Sequence, residues 1–161
     1  MSEQPISQEK SILDEKQFVV FGLARETYGI DINLVREIIN MQELTAIPKS
    51  AEYIKGIINL RGRIIPVFDL AGKFMLESKP VAKSTRIVVV EVRGLTVGMI
   101  VDVVSEVLMI PAEVIEQPTE MMVTSISEQF VKGIAKYSDR LVIILNLEKV
   151  LINSDMDLAN K

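Results

Sequence analysis

A chain of 161 residues that is 48% hydrophobic has material for one packed domain, or two small ones sharing a core, so its body is not a disordered polymer. A formal net charge of −4 with no run of Lys or Arg disfavours nucleic acid, whose phosphates demand a basic face. The chain has neither cysteine nor histidine, which excludes disulfides, ordinary zinc sites, Cys-His dyads and Ser-His-Asp triads.

Residues 1–15 are polar and predict a flexible tail. Phe18-Val19-Val20-Phe21-Gly22-Leu23 is β-branched and aromatic, hence a strand. Arg25-Glu26-Thr27 reads as a turn and Tyr28-Gly29-Ile30 as the returning strand. Asp31 or Asn33 then suits the cap of a short helix, because Leu34, Val35, Ile38 and Ile39 recur at spacings of three and four. Beyond Pro48, Tyr53–Leu60 and Arg63–Leu70 form a hairpin about Arg61-Gly62, with Pro66 marking an edge or a bulge. Residues 77–84, with Pro80, are a linker. Strands follow at Thr85–Val92, at Thr96–Val101 and through Val107–Ile110. Pro111 opens one helical turn, strands near 129–137 and 140–145 close the body, and Leu147–Leu151 is a final helix. Residues 153–161 form a polar C-terminal tail.

The order hides a repeat. Tyr28-Gly29-Ile30 leads to Leu34-Val35, Glu37 and Ile38; Val97-Gly98-Met99 leads at the same offsets to Val103-Val104, Glu106 and Val107, 69 positions later. Lys55-Gly56-Ile57 leads to Asp69-Leu70 as Lys132-Gly133-Ile134 leads to Asn146-Leu147, 77 positions later. Two matches in one order predict duplicated β modules, and many short strands at regular spacing predict small barrels joined along an apolar seam. The N-terminus shows no basic and apolar leader, and the longest apolar runs, such as Leu141–Leu145, are far too short to span a bilayer, so a cytoplasmic address is expected. No phosphate-binding glycine loop, dinucleotide turn or calcium-loop spacing occurs, and the acids are dispersed, which leaves a carboxylate-based enzyme or ligand-binding barrel as the weaker alternative.

Phe18-Val19-Val20-Phe21, Tyr28-Gly29-Ile30-Asp31-Ile32 and Val35-Arg36-Glu37-Ile38 resemble the opening of the CheW family of bacterial chemotaxis domains. The stronger signature runs from Ile54-Lys55-Gly56-Ile57-Ile58-Asn59-Leu60-Arg61-Gly62-Arg63 through Ile64-Ile65-Pro66-Val67-Phe68-Asp69-Leu70. Val97–Val104 and Ile144–Leu151 match in order, so the resemblance covers roughly 16–152. It implies a mostly β fold: two intertwined, five-stranded SH3-like barrel subdomains packed around a shared hydrophobic core, with short helices and a boundary near 77–84. It also implies a non-enzymatic adaptor, without cofactor or metal, between chemotaxis receptors and the histidine kinase CheA. An adaptor serving an array other than chemotaxis is the nearer rival. The chain has no room for the phosphotransfer and ATP-binding domains of the kinase itself, nor for a receiver domain.

By the same resemblance, receptor-binding positions are Leu34, Val35, Glu37, Ile38, Arg61 and Gly98. Kinase-binding positions are Gly56, Ile57, Asn59, Arg61, Gly62 and Ile64. A second kinase interface falls at Glu116, where a basic residue can occur in relatives, and at Met121, where a larger aromatic is frequent. Each has a plainer reading from the residue alone. Arg61 is then a solvated turn arginine, Gly56 and Gly133 are bulges, Glu37 is a surface helix charge, and Met121-Met122 fill core gaps. Asp69 and Asn146 occupy matching repeat positions and are expected to cap the helical turns that follow.

Overall fold

The computed structural model describes residues 15–118, 126–137 and 139–151. Met121, Met122 and the two tails, apart from Glu15, which begins the first strand, therefore lie outside the described residues. Eleven strands are described: β1 (Glu15–Leu23), β2 (Glu26–Asp31), β3 (Val35–Asn40), β4 (Ile54–Leu60), β5 (Arg63–Asp69), β6 (Arg86–Val92), β7 (Leu95–Val101), β8 (Val103–Pro111), β9 (Ile115–Glu116), β10 (Val131–Tyr137) and β11 (Arg140–Leu145). Two short helices, α1 (Leu70–Lys73) and α2 (Leu147–Leu151), each follow the last strand of a hairpin.

The strands form two sheets, ordered β8-β1-β2-β11-β10-β9 and β3-β6-β7-β5-β4. The expected five-stranded pair is present, with the two-residue β9 as a sixth member of one sheet. Each sheet curls onto itself. Leu108 and Ile110 of β8 share a buried cluster with Ala135 of β10, and Ile39 of β3 packs with Ile58 of β4, although these strands stand toward opposite ends of their sheets.

The repeat seen in the sequence governs this architecture. The parallel pairing of Val67 with Gly98 in one barrel recurs as that of Ile144 with Gly29 in the other, each residue shifted by its repeat offset. The bulges match as well: the register breaks between Ile54 and Gly56 and between Val131 and Gly133, and again between Val35 and Glu37 and opposite Val104 and Glu106. Even the cluster inside each barrel obeys the offsets, Phe18, Val20 and Ile144 answering to Ile87, Val89 and Val67. A barrel is nevertheless not a sequence half. Each repeat gives its first two strands to one barrel and its remaining strands to the other, so residues 77–84 connect strands of the same sheet.

Between the barrels lies one larger core. Phe21, Tyr28, Phe68, Phe74, Met99 and Leu147 are all nearly inaccessible there, with Phe21 stacked on Tyr28 at 5.9 Å and the Phe74 ring tilted against Phe130 at 5.3 Å. Removing this apolar area from water is the main force holding the two barrels together.

The helix expected after Asp31 does not form. The Asp31 carboxylate does cap a turn, accepting from the Asn33 N–H at 2.9 Å, but the turn is a single 3-10 turn, Ile32–Leu34. From Val35 the chain is strand, and its exposure alternates residue by residue through Asn40. Apolar residues at 35, 38 and 39 satisfy a helical spacing, yet three of these residues are β-branched and a whole strand, β6, offers a partner. Pro66 sits just before the β5–β7 pairing begins at Val67, at a place where β5 has a ladder partner on one side only.

Candidate functional site

The end of the five-stranded barrel is built by the β4–β5 hairpin. Leu60 pairs with Arg63, leaving Arg61-Gly62 as a two-residue loop with φ of 51° and 87°. Such a loop needs positive φ at both positions to follow strand twist, which glycine supplies at no steric cost. The Asn59 side-chain oxygen accepts from the Gly62 N–H at 2.8 Å and fixes the turn. Arg93-Gly94, in the β6–β7 hairpin, adopts the same pair of positive angles. The backbone at Arg61 therefore follows hairpin geometry and is not itself a mark of function.

The Arg61 side chain is the distinctive part. It stands in solvent and donates to the Glu37 carboxylate of β3, tying the hairpin to a strand at the far end of the sheet order. That hydrogen bond, with the charge of Glu37 behind it, raises the guanidinium pKa above its ordinary value, so Arg61 stays a cation. Ile64, next along β5, is 61% exposed, and Ile38, beside Glu37, is 40% exposed. Exposed apolar residues on the two strands that carry a hydrogen-bonded ion pair give this end of the barrel the mixed composition of an interface.

The other expected residues divide sharply. Leu34 and Val35 are only half-buried surface: both pack against the core between the barrels, and Leu34 also lines a groove of about 600 Å³ at the seam. Phe18 and Ile144 reach that groove from one barrel and Val92 from the other, with Lys16, Asp31 and Lys132 at its rim. Gly98 is buried inside the five-stranded barrel, where a Cβ would stand 2.7 Å from the Ile87 Cγ2; it offers no surface to a receptor. Gly56 is a bulge at φ +151°, and a Cβ there would meet the Thr45 carbonyl oxygen at 2.4 Å. Ile57 exchanges backbone hydrogen bonds of 2.8 and 3.1 Å with that same Thr45, so this stretch of β4 is already covered. Glu116 is exposed on β9, opposite Ile134.

Asp69 and Asn146 differ despite their matched positions. Asn146 caps, its side-chain oxygen accepting from the Lys149 N–H at 3.2 Å. Asp69 makes no capping bond and instead accepts from the Ser78 hydroxyl, pinning the segment after α1. Sequence reasoning also passed over Arg36, Arg63 and the Arg140–Glu106 pair at 2.8 Å. The last had a signal, since Glu106 is the repeat equivalent of Glu37. Among the described residues no group of three or more acidic, cysteine or histidine side chains is arranged for a metal, and no helix is long and apolar enough to cross a membrane.

The model of the CheW-like domain family matches residues 17–154, which takes in both barrels and the β4–β5 hairpin. The chain belongs to the CheW-like domain family. The chemotaxis protein CheW of Klebsiella aerogenes is 35% identical over 145 residues, covering 90% of this chain and 87% of its own. A probable chemotaxis protein CheW of Rhizobium etli is 33% identical over 146 residues, covering 90% and 93%. The crystal structure of the scaffolding protein TtCheW from Thermoanaerobacter tengcongensis superposes with a TM-score of 0.80 at 44% identity, covering 87% of this chain and 90% of that one. The chain is thus a CheW-type chemotaxis scaffold.

Proposed function

We propose that this CheW-type scaffold couples chemotaxis receptors to the histidine kinase CheA by binding both, with no chemistry of its own. It works in the cytoplasm and reaches the membrane only through its partners. The observation that carries the reading is the Arg61–Glu37 pair at the end of the five-stranded barrel, with exposed Ile38 and Ile64 on the same two strands. That end, with Asn59, Gly62 and Ile64, receives the regulatory domain of CheA. The seam groove beside Leu34, together with Val35, Glu37, Ile38 and Arg61, receives the apolar face of a receptor's helical hairpin tip. Glu116, on the six-stranded barrel, belongs with Met121 to a second kinase contact. Two or three weak contacts held on one rigid body become strong together, because each raises the effective concentration of the next.

The test is to measure, by titration calorimetry, the binding of the wild-type chain to the CheA regulatory domain and to a receptor-tip hairpin, separately and together. Both bind, and Arg61→Ala weakens ternary assembly at least several-fold while leaving the melting temperature almost unchanged, as expected of a surface residue that acts as an anchor. Binding of neither partner by the wild-type chain sinks the proposal. A variant that assembles like wild type removes Arg61 from it.

A further inference from the structure

Beside the Arg61 hairpin lies a shallow cleft of about 390 Å³ whose rim is formed by three arginines, Arg36, Arg61 and Arg63. Two of them are neutralised within the chain. Arg36 pairs with Glu91 at 2.9 Å, and Arg61 pairs with Glu37. Arg63 is different: among the described residues it has no acidic partner, and its side chain donates only to the Thr96 hydroxyl, at 3.3 Å. The cleft therefore carries one surplus positive charge, in a chain whose net charge is −4. A guanidinium holds five N–H donors in a planar fork that matches a carboxylate with two parallel hydrogen bonds. Thr96 occupies one Nη2 donor and leaves the rest for another molecule. Ile64, the most exposed apolar residue of the same hairpin, is the next residue along.

We infer that Arg63 is a specificity residue of the kinase-facing surface, and that it receives a carboxylate side chain of the CheA regulatory domain as Ile64 is covered. The inference rests on the kinase contact proposed above for this end of the barrel. Arg61 and Arg36, already satisfied by Glu37 and Glu91, hold the two walls of the cleft, and Arg63 supplies the charge between them. A protein carboxylate is favoured over a nucleic acid, because the acidic chain as a whole repels a polyanion while one surplus arginine accepts a single charge.

The experiment compares wild type, Arg63→Met and Arg63→Glu for binding the CheA regulatory domain from the same bacterium, at low and high salt, with melting curves for each. Arg63→Met weakens binding and flattens its salt dependence. Arg63→Glu weakens it further, by about tenfold or more, because like charges now face each other across the contact. All three proteins melt alike, since Arg63 is solvent-exposed. An acidic-to-lysine scan of the kinase surface then yields one reversal that restores binding to Arg63→Glu. Wild-type affinity in Arg63→Glu overturns the inference while leaving the kinase contact standing; no binding by wild type overturns the contact itself. Restoration by no acidic position, or displacement of the kinase by millimolar inorganic phosphate alone, shows that Arg63 serves a small anion and not a partner carboxylate.

Discussion

At Gly98 the side chain that is missing matters more than any that surrounds it. The nearest atom to a Cβ there is the Ile87 Cγ2 at 2.7 Å, with the Val67 Cγ2 at 3.2 Å. Both belong to side chains inside the barrel, where extra volume forces neighbours off their rotamers. Gly98→Ala is expected to lower stability by about 1–3 kcal/mol, measured by urea unfolding, and to alter partner binding only in proportion to the folded fraction lost. Equal stability with impaired receptor binding would return Gly98 to the surface set. Tyr28 offers a second measurement at this scale. Its hydroxyl donates to the Glu26 carboxylate at 3.0 Å, and burial, reinforced by that charge, holds its pKa above the ordinary 10.0. Because the folded state resists ionisation, the stability contributed by the neutral phenol is complete below pH 10 and is lost as pH rises above it. Tyr28→Phe should therefore cost about 1 kcal/mol near neutrality and narrow the gap to wild type in unfolding curves taken at increasingly alkaline pH.

The strand β3 shows how far local pattern carries at the level of elements. The hairpins, the closing helix and the linker were legible, because strand composition and turn residues agreed there, although the first turn falls at Ala24-Arg25 and not at Arg25-Glu26-Thr27, since Glu26 and Thr27 already pair with β1. Val35–Asn40 was not, since a run of Val, Ile and Ile at 35, 38 and 39 satisfies two periods, and only the distant β6 decides between them. The candidate site was legible to the same degree. Arg61 and Ile64 could be placed from the hairpin, whereas the partnership of Arg36 with Glu91, 55 positions apart, leaves no trace in spacing. Alternation along β3 also changes which variants are informative. Val35 packs on the seam core, so Val35→Glu buries an unpaired charge and is expected to cost about 1–3 kcal/mol before any partner is added. Ile38 faces outward, and Ile38→Glu should shift stability by no more than about 0.5 kcal/mol while weakening receptor binding. Melting curves and hairpin titrations of the pair check this, and a stable Val35→Glu would contradict the packing.

For the whole molecule, the exchange of strands between repeats means that neither half owns a barrel. A fragment ending within 77–84 holds β1 and β2 without β8 and β11, and β3, β4 and β5 without β6 and β7. Each fragment alone should give an unfolded spectrum, and an equimolar mixture should regain a β spectrum and a cooperative melt. Independent folding of either half would refute the intertwined arrangement. The repeat offsets were readable in the sequence and the resemblance implied intertwined barrels, but the identity of the exchanged strands was not readable, because offsets report which residues correspond and not which strands pair.

The two barrels also differ in when they can be completed. All strands of the five-stranded barrel lie within Val35–Val101, one unbroken stretch. The six-stranded barrel joins the first strands to the last, pairing Phe18 with Leu108 and Gly29 with Ile144. Synthesis proceeds from the N-terminus and contacts distant in sequence are slow to form. While the ribosome makes the second half, the β1–β2 hairpin waits for neighbours that do not yet exist, its Phe18 and Val20 uncovered until β8, β10 and β11 arrive. The barrel that carries Arg61 is therefore expected to close first, and the nascent chain's exposure to chaperones should last until Leu145 has emerged.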